Sequence, residues 1–318
     1  MGASGMRPGP QAARMGSKAG LGRGPRAEVA IRELTLADTA YPAALRTIPD
    51  PPSPLYVRGA LRDEDRTAVA IVGSRRASAY GLAVAEWLGR ELASCGVTVV
   101  SGLARGIDAA AHRGALQGGG RTIAVMGCGV DVIYPPEHRR LMAEIIEAGA
   151  VVSEFPPGTP PLRHQFPRRN RLISGLTLGV VVVEGREQSG AVITADHALD
   201  QGREVFAVPG GIFDETSRAP HRLLQQGARL VARVEDILEE LGLAALRPPT
   251  GAAPAAALAG IEAAVYAQLS LRPQHPDALA LRCRLSVAEV NRALSVLEVR
   301  GLARAFPGQR YVRATVEG

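Results

Sequence analysis

The stretch Val69-Ala70-Ile71-Val72-Gly73-Ser74-Arg75-Arg76-Ala77-Ser78-Ala79-Tyr80-Gly81 decides the fold. Val69 to Val72 is a short, unbroken apolar run rich in β-branched side chains, which predicts a parallel strand covered on both faces. Gly73 ends it. From Gly81 the apolar residues Leu82, Val84, Trp87, Leu88 and Leu92 recur at helical spacing, so a helix follows. The segment between them is then the first crossover turn of a βαβ unit, placed at the carboxyl edge of the sheet, where ligands bind. A helix N-terminus offers unpaired N–H groups and partial positive charge. With Ser74, Arg75 and Arg76 beside it, phosphate is the expected guest. The spacing is not Gly-x-Gly-x-x-Gly, and two adjacent arginines suit a polyanion better than a nicotinamide cofactor.

Outward from this unit the same alternation continues from Ala68 to about Leu243. Further strands are predicted at Val97 to Val100, Thr122 to Met126, Ala150 to Val152, Gly179 to Val183 and Glu204 to Val208. Helical patterns fall at Gly81 to Ser94, Ile107 to Leu116, Pro136 to Glu147, Arg169 to Leu176 and Ala191 to Gln201. Such alternation predicts an α/β, extended Rossmann-like fold, a parallel-rich sheet with helices on both faces joined by right-handed crossovers. The domain is expected over residues 67–243. Before it, residues 1–36 form an expected disordered tail, Gly-, Ala-, Pro- and Arg-rich without periodicity over Met1 to Arg26. Glu33 to Asp38 can begin a short helix. Tyr41 to Gly59 is too proline-rich for a regular element, so residues 37–66 read as an extended lead-in packed on the main domain.

Residues 244–258, rich in Pro and Ala, read as a linker. Three helices follow at Ile261 to Leu271, Pro276 to Cys283 and Ser286 to Arg300, the last opened by a Ser286/Glu289 capping box. Two short strands, Leu302 to Phe306 and Arg310 to Arg313, flank Pro307-Gly308. Residues 259–318 are therefore expected to form a small C-terminal winged-helix domain. Its third helix offers mainly Asn291, Arg292 and Arg300 to a groove, which makes a poor major-groove reader and leaves contact with protein or duplex backbone open.

Composition narrows the chemistry. The 318 residues are 46% hydrophobic and 21% charged with a formal net charge of +6, compatible with an anionic partner. No run of about 18 apolar residues and no signal-peptide core appear, so a cytoplasmic protein without a membrane span is expected. Cys95, Cys128 and Cys283 are far apart, with no Cys-x-x-Cys pair, which supports neither a disulfide framework nor a metal site. Lys18, in the Gly-rich tail, is the only lysine. That excludes a Walker A loop, a Schiff-base lysine and a Ser-x-x-Lys nucleophile from the folded core.

Candidate ligand-binding residues cluster in the turns that follow the strands. Ser101 to Asp108 carries Gly102, Gly106 and Arg105; Asp108 and His112 stand one helical turn apart and read as residues satisfying their own helix rather than as an acid–base pair. Gly127 to Pro136 carries Cys128, which lacks a nearby activating histidine and reads as a buried thiol, and Tyr134, free to stack or pack. Arg163 to Gly175 is the most informative: Arg163, His164, Arg168, Arg169 and Arg171 surround Phe166. Guanidinium groups for phosphates with a ring for a base are how a single strand of nucleic acid is held without reading its sequence. The plain alternative has Phe166 anchoring the loop and Asn170 capping a helix. Ser189, Gly190 and Thr194 sit where a further helix begins and can offer donors to one more phosphate.

At these residues the sequence resembles the DNA-processing protein A (DprA/Smf) family. The matching stretches are Tyr41-Pro42, Asp50-Pro51-Pro52, Leu55-Tyr56, Val72 to Arg75, Ser101 to His112, Gly127 to Tyr134, Phe166 to Gly175, Ser189 to Ala195 and Val208-Pro209-Gly210, in order over about Tyr41 to Leu241. The resemblance implies a non-enzymatic protein that binds single-stranded DNA, dimerises through its Rossmann-like domain, and helps load the RecA recombinase in natural transformation and recombination. It places a phosphate-binding arginine at Arg75 with Ser74 beside it. A basic residue and an aromatic against the strand fall on Arg163 and Phe166, with Asn170, Arg171, Ser189, Gly190 and Thr194 as further matches. Arg105 joins this set from its own turn. No cofactor, metal or catalytic residue is implied. Arg163 stands where relatives often have lysine, and Ala219-Pro220-His221 replaces a Gly-x-Asn turn, which puts contacts there in doubt. The competing function is a Rossmann-type hydrolase of nucleoside monophosphates. Its Pro-Gly-Gly-x-Gly-Thr turn and downstream glutamate are absent after Pro209-Gly210-Gly211.

Overall fold

A computed structural model describes residues 1–2, 29–246, 258–270, 273–306 and 308–313. The expected tail over Met1 to Arg26 and most of the linker lie outside the described residues. Eleven strands and eleven α-helices alternate along the described chain: β1 Ile31–Leu34, α1 Ala43–Arg46, β2 Leu55–Gly59, β3 Ala68–Val72, α2 Ala79–Ser94, β4 Thr98–Ser101, α3 Ile107–Gln117, β5 Thr122–Val125, α4 Arg139–Ala148, β6 Ala150–Ser153, α5 Gln165–Gly175, β7 Gly179–Val182, α6 Gly190–Asp200, β8 Glu204–Ala207, α7 Arg218–Gln225, β9 Arg229–Leu230, α8 Val234–Glu240, α9 Gly260–Gln268, α10 Pro276–Cys283, α11 Val287–Val299, β10 Ala303–Phe306 and β11 Arg310–Arg313.

The first nine strands form one sheet in the order β1-β2-β6-β5-β4-β3-β7-β8-β9. From β6 to β9 every pairing is parallel. The apolar runs are the reason: β3 and β7 are buried along their whole length, as strands covered by helices on both faces must be. One face buries Ala70, Val72 and Val180 under Leu172 and Ile173 of α5 and Ala191 and Ala195 of α6. The opposite face buries Val69, Ile71 and Val99 under Val84, Leu88 and Leu92 of α2, Ile107 and Ala111 of α3, and Ile237 of α8. The strand order reverses between β3 and β7, so the crevice outside their carboxyl ends is the switch point of the sheet.

Two expectations fail at the start of the chain. Ile31–Leu34 is a strand, not the beginning of a helix, and lies within the segment read as tail. The proline-rich lead-in holds a regular strand, β2, which pairs antiparallel with both β1 and β6 and extends the sheet. Its prolines, Pro42, Pro49, Pro51, Pro52 and Pro54, all precede the paired residues, so no ladder N–H is lost. At the other end of the chain, α9, α10 and α11 surround a separate small core of Val265, Leu279, Val290, Leu294 and Leu297, closed by the β10–β11 hairpin. The Ser286/Glu289 capping box opens α11 as expected. None of the described helices is long and apolar enough to cross a membrane.

Candidate nucleic-acid interface

A groove of about 920 Å³ occupies the switch point. Its walls come from the turn after β3 (Ser74, Arg75, Arg76), the turn before α3 and its first turn (Ala104, Asp108), Tyr134, the face of α5, and the segment from Arg186 to Thr194. That size is at the upper end for a small-molecule site and suits an open groove. Five guanidinium groups line it, from Arg75, Arg76, Arg163, Arg169 and Arg186, against one carboxylate, Asp108. Arg186 is paired with Glu215 at 2.8 Å. Arg75, Arg76 and Arg163 are exposed.

Helical periodicity explains which of the clustered cations reach the groove. The segment Arg163 to Gly175 is not a loop: α5 begins at Gln165, four residues earlier than the expected Arg169. Pro167 lies in its first turn, where a missing backbone N–H costs nothing. Phe166, Arg169, Asn170 and Ile173 therefore share the groove-facing side. Arg168 and Arg171, three apart on another side, both meet the carboxylate of Glu154 just beyond β6.

Phe166 is half-buried, with its ring centroid 5.4 Å from the Arg75 guanidinium and 5.5 Å from the tilted ring of Tyr134. Two rings and a guanidinium thus form one apolar and cationic platform on the groove wall. Asn170 donates from Nδ2 to the Gly190 carbonyl at 3.1 Å, tying α5 to the start of α6. The side chain of Ser189, the residue before α6, makes no capping hydrogen bond to its helix, and its Oγ is buried without a partner. Thr194 lines the groove, although its hydroxyl donates back to the Gly190 carbonyl at 3.0 Å.

Arg169 is the member that sequence reading left among undifferentiated cations. It is 3% exposed and donates to the carbonyls of Gly102 and Val125 at the ends of two neighbouring strands. Burial pulls its guanidinium down to about 10, partly offset by Asp108. Burial likewise raises the Asp108 carboxyl, against the pull of Arg169 and the Ala104 N–H. Asp108 accepts from the Ala104 backbone, in keeping with its reading as a structural residue.

Two residues expected at the ligand are engaged elsewhere in the structure. Arg171 is buried and bidentate to Glu154 at 2.8 and 3.0 Å, and also meets Asp50 at 3.1 Å. Breaking a buried pair costs about 3–5 kcal/mol, more than the roughly 1.5–3 kcal/mol of one charged hydrogen bond to a phosphate, so Arg171 stays where it is. Arg105 is exposed but ion-paired with Glu137 and does not line the groove. The phosphate expected at the α2 N-terminus is corrected too: the carboxylate of Glu184, from the end of β7, already occupies it, accepting from the Ser78 backbone N–H at 2.9 Å and from the Ser78 hydroxyl. Cys128 is fully buried, with its thiol pushed up to about 11 by burial.

These features define a class: a Rossmann-like α/β protein with an arginine- and aromatic-lined groove at its switch point and an appended winged helix. The chain belongs to the DNA recombination-mediator protein A family, whose model matches residues 32–242, and the DprA winged helix domain model matches residues 248–309. It is 51% identical over 202 residues to Protein Smf of Escherichia coli (strain K12), covering 63% of this chain and 54% of that one, so it spans about half of that relative's length. Its fold is similar to the X-ray structure of DNA processing protein A from Streptococcus pneumoniae, with a TM-score of 0.63 at 44% identity over 66% of this chain and 74% of that chain. It also resembles DNA processing protein A from Helicobacter pylori, whose structure is described for its single-stranded DNA binding mode, with a TM-score of 0.60 at 30% identity over 66% of this chain and 95% of that chain.

Proposed function

We propose that the switch-point groove holds single-stranded DNA. The observation that carries this reading is the convergence of Arg75, Arg163 and Phe166 on one open groove, with Arg75 stacked over the ring. Ser74, Arg75, Arg76 and Arg163 take phosphates, Gly190 adds a backbone donor at the start of α6 with Ser189 shaping the turn before it, and Phe166 with Tyr134 offers π-faces to bases. Asn170 and Thr194 act by shaping the wall. A flexible strand can bring its phosphates to guanidinium groups while laying bases on rings; a stiff duplex hides its base faces.

The chemistry is binding, without a bond-breaking step. Among the described residues, the Cys128 thiol is buried and its pKa raised by burial, and the Asp108 carboxyl is buried and accepts from the Ala104 backbone, so neither is offered to a ligand as a nucleophile. Family membership supports a wider role, in which the bound strand is protected and passed to the RecA recombinase during transformation and recombination by a homodimer formed through the Rossmann-like domain. Titration of a labelled oligothymidine against matched duplex tests the core reading. Preference for the single strand, lost on Arg75→Ala, is the expected result; equal affinity for both forms contradicts it.

A further inference from the structure

Glu184 touches no part of the groove surface, yet it joins the two walls. This inference rests on the single-strand reading above and asks what holds Arg75 in place. The Glu184 side chain is buried, at 3% exposure, and no cationic side chain is bonded to it among the described residues. Its carboxylate faces the positive end of α2 instead. Gly81 N–H donates to Ser78 Oγ at 3.0 Å, and the Ser78 hydroxyl in turn gives its proton to Glu184, which also accepts from the Ser78 backbone. Position 81 is glycine because a Cβ there would run into the Glu184 carboxyl group.

The turn from Ser74 to Ser78 is pinned at its other end by α3, where Ile107 N–H donates to the Ser74 carbonyl at 3.2 Å. Gly106 makes that approach possible, since it adopts a positive φ of 78° and a Cβ would strike the same carbonyl. Between the two anchors the Arg76 backbone N–H donates to Ser74 Oγ at 3.1 Å, while the guanidinium groups of Arg75 and Arg76 project without a hydrogen-bonded or ion-paired partner among the described residues. The main chain of Glu184 leads directly into the opposite wall: Gly185 N–H donates to the Thr216 carbonyl at 2.6 Å, and Arg186 to Gly190 follow.

We infer that Glu184 is a positioning residue for the bound strand, its carboxylate fixing the Ser74 to Ser78 turn so that the Arg75 guanidinium is held over Phe166. The sign of the effect separates this from simple electrostatics. A buried negative charge near a polyanion repels it, so removal of the charge alone tightens binding. Loss of positioning weakens it.

The test uses the full chain with oligothymidine of fixed length at several salt concentrations, for Glu184→Gln, Ser78→Ala, Arg75→Ala and the Ser78→Ala/Arg75→Ala double variant, with thermal unfolding in parallel. Glu184→Gln and Ser78→Ala are each expected to weaken binding about tenfold. The double variant is expected to bind no more weakly than Arg75→Ala alone, because the turn acts through Arg75. Ser78→Ala removes one hydroxyl at an exposed position and carries the test if Glu184→Gln does not fold. Unchanged or tighter binding by Ser78→Ala or Glu184→Gln overturns the inference, and so does additivity in the double variant. If Arg75→Ala itself binds like the parent, it is the single-strand reading of the groove that fails.

Discussion

The Arg75 guanidinium stands 5.4 Å from the centroid of the Phe166 ring, joining the turn after β3 to the first turn of α5 across the switch point. The same ring meets the tilted ring of Tyr134, so the two aromatics and the guanidinium stand together on the groove wall where the proposed strand would lay a base. Stacking of a base on an aromatic is worth about 1–3 kcal/mol. Phe166→Ala is therefore expected to weaken oligothymidine binding roughly 5- to 150-fold, while Phe166→Trp retains it, as read by fluorescence anisotropy.

The exposed arginines make a separate, countable contribution. Each phosphate contact to a single strand changes the slope of log K against log salt by about 0.7. Arg163→Ala and Arg76→Ala are each expected to flatten that slope by about this amount and to do so equally for all base sequences. Arg105→Ala, which loses only its surface pairing with Glu137, is expected to leave both affinity and slope unchanged.

Arg171 gives the opposite pattern. Arg171→Ala removes the buried partner of the Glu154 carboxylate and leaves it only the exposed Arg168, and is expected to lower stability by about 3 kcal/mol, seen as a fall in the unfolding midpoint in denaturant. In the folded fraction the salt slope is expected to equal the parent's. A changed slope at full stability would return Arg171 to the ligand contacts.

His112 supplies a pH signature. It is fully buried, and its Nδ1 lies 2.7 Å from Thr122 Oγ1, whose own proton goes to the Val99 carbonyl; Nδ1 therefore carries the hydrogen and Nε2 is left as an acceptor without a partner. Burial, with positive charge from His138 and Arg169 nearby, pushes its pKa from 6.5 down to about 3. The unfolded chain then binds a proton that the folded chain refuses. This group costs no stability above about pH 6.5, and its cost grows by about 1.4 kcal/mol per pH unit as pH falls towards 3. His112→Asn is expected to flatten the decline in stability between pH 6.5 and pH 4 relative to the parent, in chemical denaturation at each pH.

The parallel strands were legible because a strand buried on both faces must be a continuous apolar run, and Val69 to Val72 or Gly179 to Val183 can be little else. The antiparallel additions were not. Around β2 the prolines hide a strand whose own residues, Leu55 to Gly59, carry none, and β1 is short and mostly exposed. The start of α5 was obscured by Pro167, which is a helix breaker everywhere except in the first turn. Within the site, Arg75, Arg163 and Phe166 were legible as residue types in a polar turn after a strand. The fate of Arg171 was not, because Glu154 reaches it from a different strand end. Glu184 was hidden for a related reason: an anion at the α2 N-terminus was expected from solvent, and the fold supplies it from β7.

The central claim is that guanidinium groups and a ring share one groove for a flexible polyanion. Its most direct measurement is titration of labelled oligothymidine and of a matched duplex against the parent chain and Arg75→Ala at several ionic strengths. The account predicts tighter binding of the single strand, steep weakening with salt, and a large loss on Arg75→Ala with a flatter slope. Equal binding of duplex and single strand, or Arg75→Ala indistinguishable from the parent, would contradict it.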